Sequence, residues 1–507
     1  MNASSVDYLR MELKEPLEHP DWAACEQTGM EVVRWLVRHH VTLSEQPIGR
    51  TGSREQVEAL LGGPAPEHGR AFAEVLQEFT NKVMPNAFKT NHPRFLAFIP
   101  GAPNFPSILG ELLCAGTNFF AGVWLEAAGP SQVELTVLEW FRVLLGMPAG
   151  TSGILTSGGS EANLTALTVA REPLSFQDRE RAVLYVTEQR HWSVDRAAKI
   201  IGLRPEQIHP VPADQDFRLT PEALRKAIQQ DRSATRLPWA VVANAGATNT
   251  GVVDPLESLS GLCRDEKVWL HVDAAYGWSA MLTPEGRREL EGIGDCDSVT
   301  LDPHKWFGQC FESGCLLVRE GKRLAETFTL RPEYMQDVEP ETDQINFCDQ
   351  GIALTRRFRA LKLWLSVKVL GLDWHRELVS RSCQLAELSQ ALLEQHPEFE
   401  ILCPRHLSIV CFRYRPVEGG GDGERRRGGD ENSSRLRLSE EELDSLNLSI
   451  VDELRATGKA FISSTRLRGR VALRFCFVNW RTTAADVEEV VRLLLEIGKT
   501  LSSERAG

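Results

Sequence analysis

Four segments of this sequence carry residue types that could do chemistry. DPHKW sets Lys305 between Pro303 and the aromatic pair Trp306 and Phe307. A lysine so enclosed loses water, and a desolvated amine is a nucleophile toward carbonyl carbon. LHVDAAYG puts Asp273 at the end of an apolar run, followed only by Ala274 and Ala275. An unpaired buried carboxylate is costly, so Asp273 should meet a cation or cap the next helix. TSGGSEAN, from Thr156 to Asn163, leads into a helical pattern. Its small residues let backbone N–H groups approach an anion at the positive end of the helix, where Ser157 and Ser160 could add hydroxyls. His191, in EQRHWSVDRAA, follows a strand-like run, and ligands in α/β sheets bind beyond strand ends.

Each segment alone has an ordinary structural explanation as a strand end, a helix cap or a packed ring. Together, in chain order, they supply an anion cradle, a ring that can stack, a buried carboxylate and an activated lysine. Those are the phosphate anchor, ring-face cover, pyridine-nitrogen partner and Schiff-base lysine that pyridoxal 5′-phosphate (PLP) requires.

Positioning them calls for an α/β architecture. Apolar runs at 182–188, 239–246, 268–275, 297–303 and 314–319 alternate with helical patterns at 132–145 and 161–171. Buried strands alternating with helices predict a mostly parallel sheet. Three domains are expected. Residues 1–90 are helical with little core of their own, Met30, Val33 and Val37 sharing one face. Residues 91–370 form the large α/β domain. Residues 371–507 form a smaller α/β piece, with helices near 377–395, 440–457 and 483–501 and strands at 407–414 and 471–479. The Gly-rich, charged stretch 416–435 lacks the strand–loop–helix setting of a phosphate loop and reads as a disordered insertion.

Composition sets the outer limits. With 57 Lys+Arg against 70 Asp+Glu the net charge is −13, the wrong sign for a nucleic-acid binder. No apolar run is long enough for a spanning helix, and the N-terminal stretch lacks a signal-peptide core, so a cytoplasmic chain without a membrane role is expected. The 11 cysteines include no C-x-x-C pair and no accompanying histidine cluster, which predicts reduced thiols and no metal site.

Over nearly its whole length the chain resembles the pyridoxal-dependent (group II) amino-acid decarboxylases, with motifs like those of aromatic-L-amino-acid decarboxylases. The resemblance runs through HPRFLAFIPGAPNFPSILGELLCAG, HVDAAYGWSA, DPHKWF, RRFRALKLW and LRGRVALRFCFVN. It implies the fold-type I PLP-dependent transferase architecture: a large domain with a mostly parallel seven-stranded sheet, a small C-terminal α/β domain and an N-terminal helical arm. It also implies a homodimer with the arm wrapping the partner and the active site at the subunit interface. Lys305 becomes the PLP lysine and Asp273 the pyridinium partner, with Ala275 under the ring and His191 on its opposite face. Gly159, Ser160 and His304 fall near the phosphate, and Thr248 of NAGATNTG close to the ring. Asp302 stands where the family commonly has Asn, and an ionised carboxylate there would repel phosphate.

Tyr334, in FTLRPEYMQD, matches the tyrosine of the family's mobile catalytic loop, which protonates Cα. Members with Phe there, or with Asn at the position of His191, tend to give aldehydes, so this chain's Tyr334 and His191 favour simple decarboxylation. Phe98, Ile99, Pro100, Gly101 and Phe120 match the substrate pocket. Gly122 replaces a larger aromatic, leaving room, and the Thr355 hydroxyl favours a phenolic over an indolic substrate. The expected reaction is decarboxylation of an aromatic L-amino acid to amine and CO2. Glutamate or aspartate decarboxylation and aldehyde formation are the alternatives on this scaffold. Another PLP reaction such as transamination would share the lysine, Asp and Gly/Ser loop, whereas a non-catalytic homologue would be expected to lose Lys305, Asp273 or Tyr334.

Overall fold

The computed structural model describes residues 3–15, 21–330, 333, 337, 341, 343–417 and 438–506. Tyr334 and residues 418–435 of the expected insertion lie outside the described residues. The chain divides into two compact units, 1–88 and 89–507.

In the first unit, Asp21 starts the helix Trp22–Val41 by accepting the N–H groups of Ala23 and Ala24, and Ser53 with Gln56 closes a capping box on the helix Arg54–Leu61. Neither helix buries a residue, nor does Phe72–Glu78. Met30 and Val37, expected on an apolar face, are 47% and 43% exposed. Helices of this kind draw little stability from a core of their own.

The second unit is built on a seven-stranded sheet in the order β1-β7-β6-β5-β4-β2-β3. Its strands are β1 (Ser152–Thr156), β2 (Ala182–Thr187), β3 (Ile208–Val211), β4 (Leu237–Asn244), β5 (Trp269–Asp273), β6 (Ser298–Leu301) and β7 (Gly314–Val318). Strand β7 runs antiparallel to both its neighbours and every other pairing is parallel. This is the mostly parallel sheet of the fold-type I expectation. Strands β2 and β7 are buried at every position, as continuous apolar runs covered on both faces should be. The apolar runs did not reveal β1 or β3. The first is a short lead-in to the Gly/Ser loop. The second, IHPV, contains Pro210, which is tolerated because β3 pairs on one side only.

An antiparallel sheet follows, in the order β10-β11-β9-β8, from β8 (Phe399–Ile401), β9 (Ile409–Tyr414), β10 (Ser463–Leu467) and β11 (Arg470–Cys476). It packs with the helices Ala360–Glu394, Glu440–Ala456 and Ala484–Ala506. The first of these breaks at Gly371, where φ of +74° suits glycine. All 11 cysteines are free thiols, buried or half-buried. Among the described residues no helix is long and apolar enough to cross a membrane.

One buried ion pair ties the elements behind the sheet edge together. Arg356 Nη2 lies 2.5 Å from Glu134 Oε1, and both side chains are essentially inaccessible. Both ends also hold β1, Glu134 accepting Leu155 N–H at 2.9 Å and Arg356 Nη1 donating to Leu155 O at 3.0 Å.

Candidate active site

The parallel strands release their chains at one edge, and the chemistry-bearing residues sit just beyond it. Ser157–Ser160 follow β1, His191 follows β2, Gly246–Thr248 follow β4, Ala275 follows Asp273 at the end of β5, and Asp302–Lys305 follow β6. They line one cavity of about 370 Å³ with Asn163, Ser193, Asn244, Tyr276 and Glu312. Lys305, Asp273, Ala275, His191, Gly159, Ser160, Thr248 and His304 all line it, on the edge where α/β sheets bind ligands.

Asp273 is 8% exposed and doubly held. Its Oδ1 accepts Ala275 N–H at 3.2 Å and its Oδ2 accepts Asn163 Nδ2 at 2.9 Å. His191 caps its own helix, its Nδ1 lying 2.7 Å from Ser193 Oγ. Burial pushes the His191 imidazole down from its ordinary pKa, with Asp273 pulling the other way and Lys305 adding to the fall. Lys305 Nζ is 3.1 Å from Asp302 Oδ2. His304 is also pushed down, chiefly by burial; its Nδ1 accepts Ser313 N–H at 3.2 Å.

At the anion cradle, Gly158 caps the helix Gly159–Arg171 with no side-chain acceptor, so the first-turn N–H groups have no competitor from the cap. Ser157 does not add its hydroxyl to the cradle. Its Oγ and N–H both donate to Glu161 Oε2, at 2.6 and 2.7 Å.

PLP fits this donor set. A Cβ on Gly159 would come within 2.8 Å of Asp302 Oδ2 and 3.3 Å of the Ala275 methyl, so only glycine leaves that space open. Asp302 Oδ1 is buried without a protein partner among the described residues. Asp302 itself pairs with Lys305 through its other oxygen, which offsets the carboxylate charge next to the phosphate cradle.

The substrate-pocket residues behave differently. Gly101 touches the site through its backbone, its N–H donating to His304 O at 3.2 Å. Phe98, Pro100, Phe120 and Thr355 do not line the cavity. Phe98 is 58% exposed with φ of +55°, a backbone conformation strained for a bulky residue. Thr355 is exposed, and the loop carrying Phe120 meets its segment through Ala121 N–H to Arg356 O at 2.9 Å. The room expected beside Gly122 is filled, because a Cβ there would lie 2.5 Å from Phe120 Cζ.

Sequence reasoning passed over Asn163, Ser193 and His271, which support Asp273 and His191 from behind. The signal was present in the polar residues at SEAN, HWS and LHVD, but their pairing depends on strands far apart in sequence.

With the geometry in view, comparison with known proteins is informative. Residues 55–415 match the family model of the pyridoxal-dependent decarboxylase conserved domain. The chain is 39% identical over 479 residues to an aromatic-L-amino-acid decarboxylase of Bacillus atrophaeus, covering 94% of this chain and 95% of the relative. It is 28% identical over 493 residues to a phenylacetaldehyde synthase of Arabidopsis thaliana, covering 95% and 97%. Among solved structures, Oryza sativa TDC with PLP and tryptamine superposes with a TM-score of 0.88 at 25% identity, covering 96% of this chain and all of that one.

Proposed function

The chain belongs to the pyridoxal-dependent decarboxylases, and from that premise we propose that it converts an aromatic L-amino acid to the corresponding amine and CO2. The observation that carries the reading is the single cavity gathering Lys305, Asp273, His191 and the Gly158–Ser160 cradle at one sheet edge. Bound PLP supplies an electron sink for the pair released when the carboxylate leaves.

The chain's own residues then divide the work. Lys305 would hold the cofactor through its aldehyde carbon, and its amine would be the group the substrate amine displaces. Asp273, kept in place by Asn163 and the Ala275 N–H, would accept from the ring nitrogen and keep it protonated. Ala275 and His191 would cover the two ring faces. The N–H groups of Gly159 and Ser160 would hold the phosphate with His304 beside them, and Thr248 would lie near the ring. Tyr334, assigned by its motif, returns a proton to Cα.

The substrate reading is supported by the aromatic-L-amino-acid decarboxylase relative and by the match of Phe98, Pro100, Gly101, Phe120 and Thr355 to a substrate pocket. Among the described residues lining the cavity Lys305 is the one lysine and there is no arginine. The phenylacetaldehyde synthase relative favours aldehyde formation as the second reading. Retention of Tyr334 and His191 argues for the amine.

The homodimer belongs to the same proposal. Unit 1–88 has helices that bury nothing, and Leu109, Leu112 and Leu113 stand exposed along one helix. A second copy would cover such surfaces and complete the substrate side. The domain division at 90 and 370 and a cytoplasmic location complete the reading.

A panel of the twenty L-amino acids plus L-DOPA and 5-hydroxytryptophan, scored together for CO2, amine and peroxide, tests it. Equal CO2 and amine from aromatic substrates is the expected result, and CO2 from acidic amino acids alone would overturn the substrate assignment. Tyr334→Phe should shift the product toward aldehyde, ammonia and peroxide with dioxygen consumed. An unchanged amine yield would remove Tyr334 from its role.

A further inference from the structure

Behind the cavity wall runs a chain of hydrogen bonds whose direction is set by the Asp273 carboxylate at one end. The Trp269 indole can only donate, and its Nε1 donates to Ser298 Oγ at 2.9 Å. Ser298 Oγ lies 2.8 Å from His271 Nδ1, and that oxygen can accept from both rings or donate to the second. His271 Nε2 lies 3.0 Å from Asn163 Oδ1, which can only accept, so the hydrogen sits on Nε2 and Ser298 donates to Nδ1; Thr300 Oγ1 donates to the same Asn163 oxygen at 2.7 Å.

With its oxygen so committed, Asn163 turns its Nδ2 the other way, donating to Asp273 Oδ2 at 2.9 Å and to Ser193 Oγ at 3.0 Å. A flipped amide would set a carbonyl oxygen against the Asp273 carboxylate, so the far end requires the same orientation. Ser193, accepting from Asn163, passes its hydroxyl proton to His191 Nδ1 at 2.7 Å. That nitrogen also faces the Ser193 backbone N–H at 3.3 Å. Asn163, Ser193, His271, Ser298 and Thr300 are all buried, and burial lowers the His271 pKa to about 4, which keeps it neutral. Every donor and acceptor of the Asn163 amide is used, which makes it a fixed hub rather than an adaptable one.

We propose that Asn163 is a positioning residue for the decarboxylation, holding Asp273 as an acceptor toward the cofactor ring nitrogen and fixing His191 as its Nε2–H tautomer. With Nδ1 occupied as an acceptor, His191 Nε2 is a donor, and it has no protein partner among the described residues. On the cavity side His191 therefore offers a hydrogen to an oxygen acceptor and does not act as a base. The charged groups that face it are Asp273, Lys305 and Asp302. The inference rests on the proposed function for its meaning, but its readouts need no substrate.

The test uses the PLP-loaded full chain with ¹⁵N-labelled histidine, the His191 signals being assigned by their loss in His191→Gln. The expected spectrum has an unprotonated Nδ1 and a protonated Nε2 at His191. Ser193→Ala cuts the His191 branch alone. It should give a mixture of tautomers with the PLP dissociation constant unchanged within about twofold, while kcat/KM falls about tenfold, the worth of one hydrogen bond. Asn163→Asp keeps the shape but faces Asp273 with a second carboxylate, and should weaken PLP binding about 10- to 100-fold, read by fluorescence titration. A protonated Nδ1 in the unaltered protein, or an unchanged tautomer in Ser193→Ala, would overturn the proposal. So would folded Asn163→Asp protein with unaltered PLP affinity. If the tautomer holds and no amino acid is decarboxylated, the proposed function fails and the hub stands.

Discussion

The cofactor side and the substrate side of this site are built to different standards. Asp273 and Asn163 are buried and held by partners at hydrogen-bond distance, and Lys305 is paired with Asp302. Phe98 and Thr355 are exposed and do not line the cavity. One chain's sheet edge thus assembles the residues proposed to hold PLP, whereas Phe98 and Thr355, two of those assigned to substrate choice, stand on open surface. Rigid elements fix the groups whose geometry decides the chemistry, and the variable face is left for another surface to complete.

Four changes would break or sharpen that contrast. On the rigid side, Arg356→Ala strands Glu134 as an unpaired buried carboxylate beneath the phosphate cradle. It should cost about 3–5 kcal/mol, seen as a large fall in Tm and loss of bound PLP. Retention of both would mean the pair does not brace this edge.

His271 gives the second test through pH. Its folded pKa, near 4, lies below the ordinary value of about 6.5, so the unfolded chain takes up the proton first as pH falls. The stability His271 contributes is present above pH ~6.5 and lost on the way down to ~4. Denaturant midpoints should decline across that window, and His271→Gln should flatten the decline.

Third, Gly101→Ala would overlap the Lys305 carbonyl oxygen and lie 2.6 Å from His304 O. Displacing the lysine's backbone should destabilise by about 1–3 kcal/mol and weaken PLP binding. The smallest effect belongs to the open side. Thr355→Val should leave PLP affinity unchanged and lower the preference for phenolic over indolic substrates by up to about tenfold, one hydrogen bond's worth. A change in cofactor affinity instead would place Thr355 on the rigid side of the comparison.

The same contrast explains what could be read from sequence. Lys305, Asp273 and the Gly/Ser loop were legible because the chemistry demands those residue types at the ends of apolar runs. The strands at 182, 239, 268, 297 and 314 were legible because burial on both faces leaves a continuous apolar signature. Asn163 and His271 were not, since their roles arise only when β5 and β6 lie side by side behind the helix Gly159–Arg171. The Ser157 hydroxyl was misjudged because its capture by Glu161, one helical turn away, competes with any anion. Beside Gly122 the missing aromatic suggested space, but Phe120 occupies it, an outcome that composition cannot foresee.

The central claim is that Lys305 carries the cofactor for decarboxylation. The most direct measurement sets Lys305→Ala beside the unaltered chain, both supplied with PLP, and follows the visible absorbance of the lysine-bound cofactor together with CO2 release from aromatic L-amino acids. The unaltered chain should show both, and the variant should lose the lysine-bound band with CO2 release falling by on the order of 10²–10⁴-fold or more. A variant that kept the band and the turnover would contradict it.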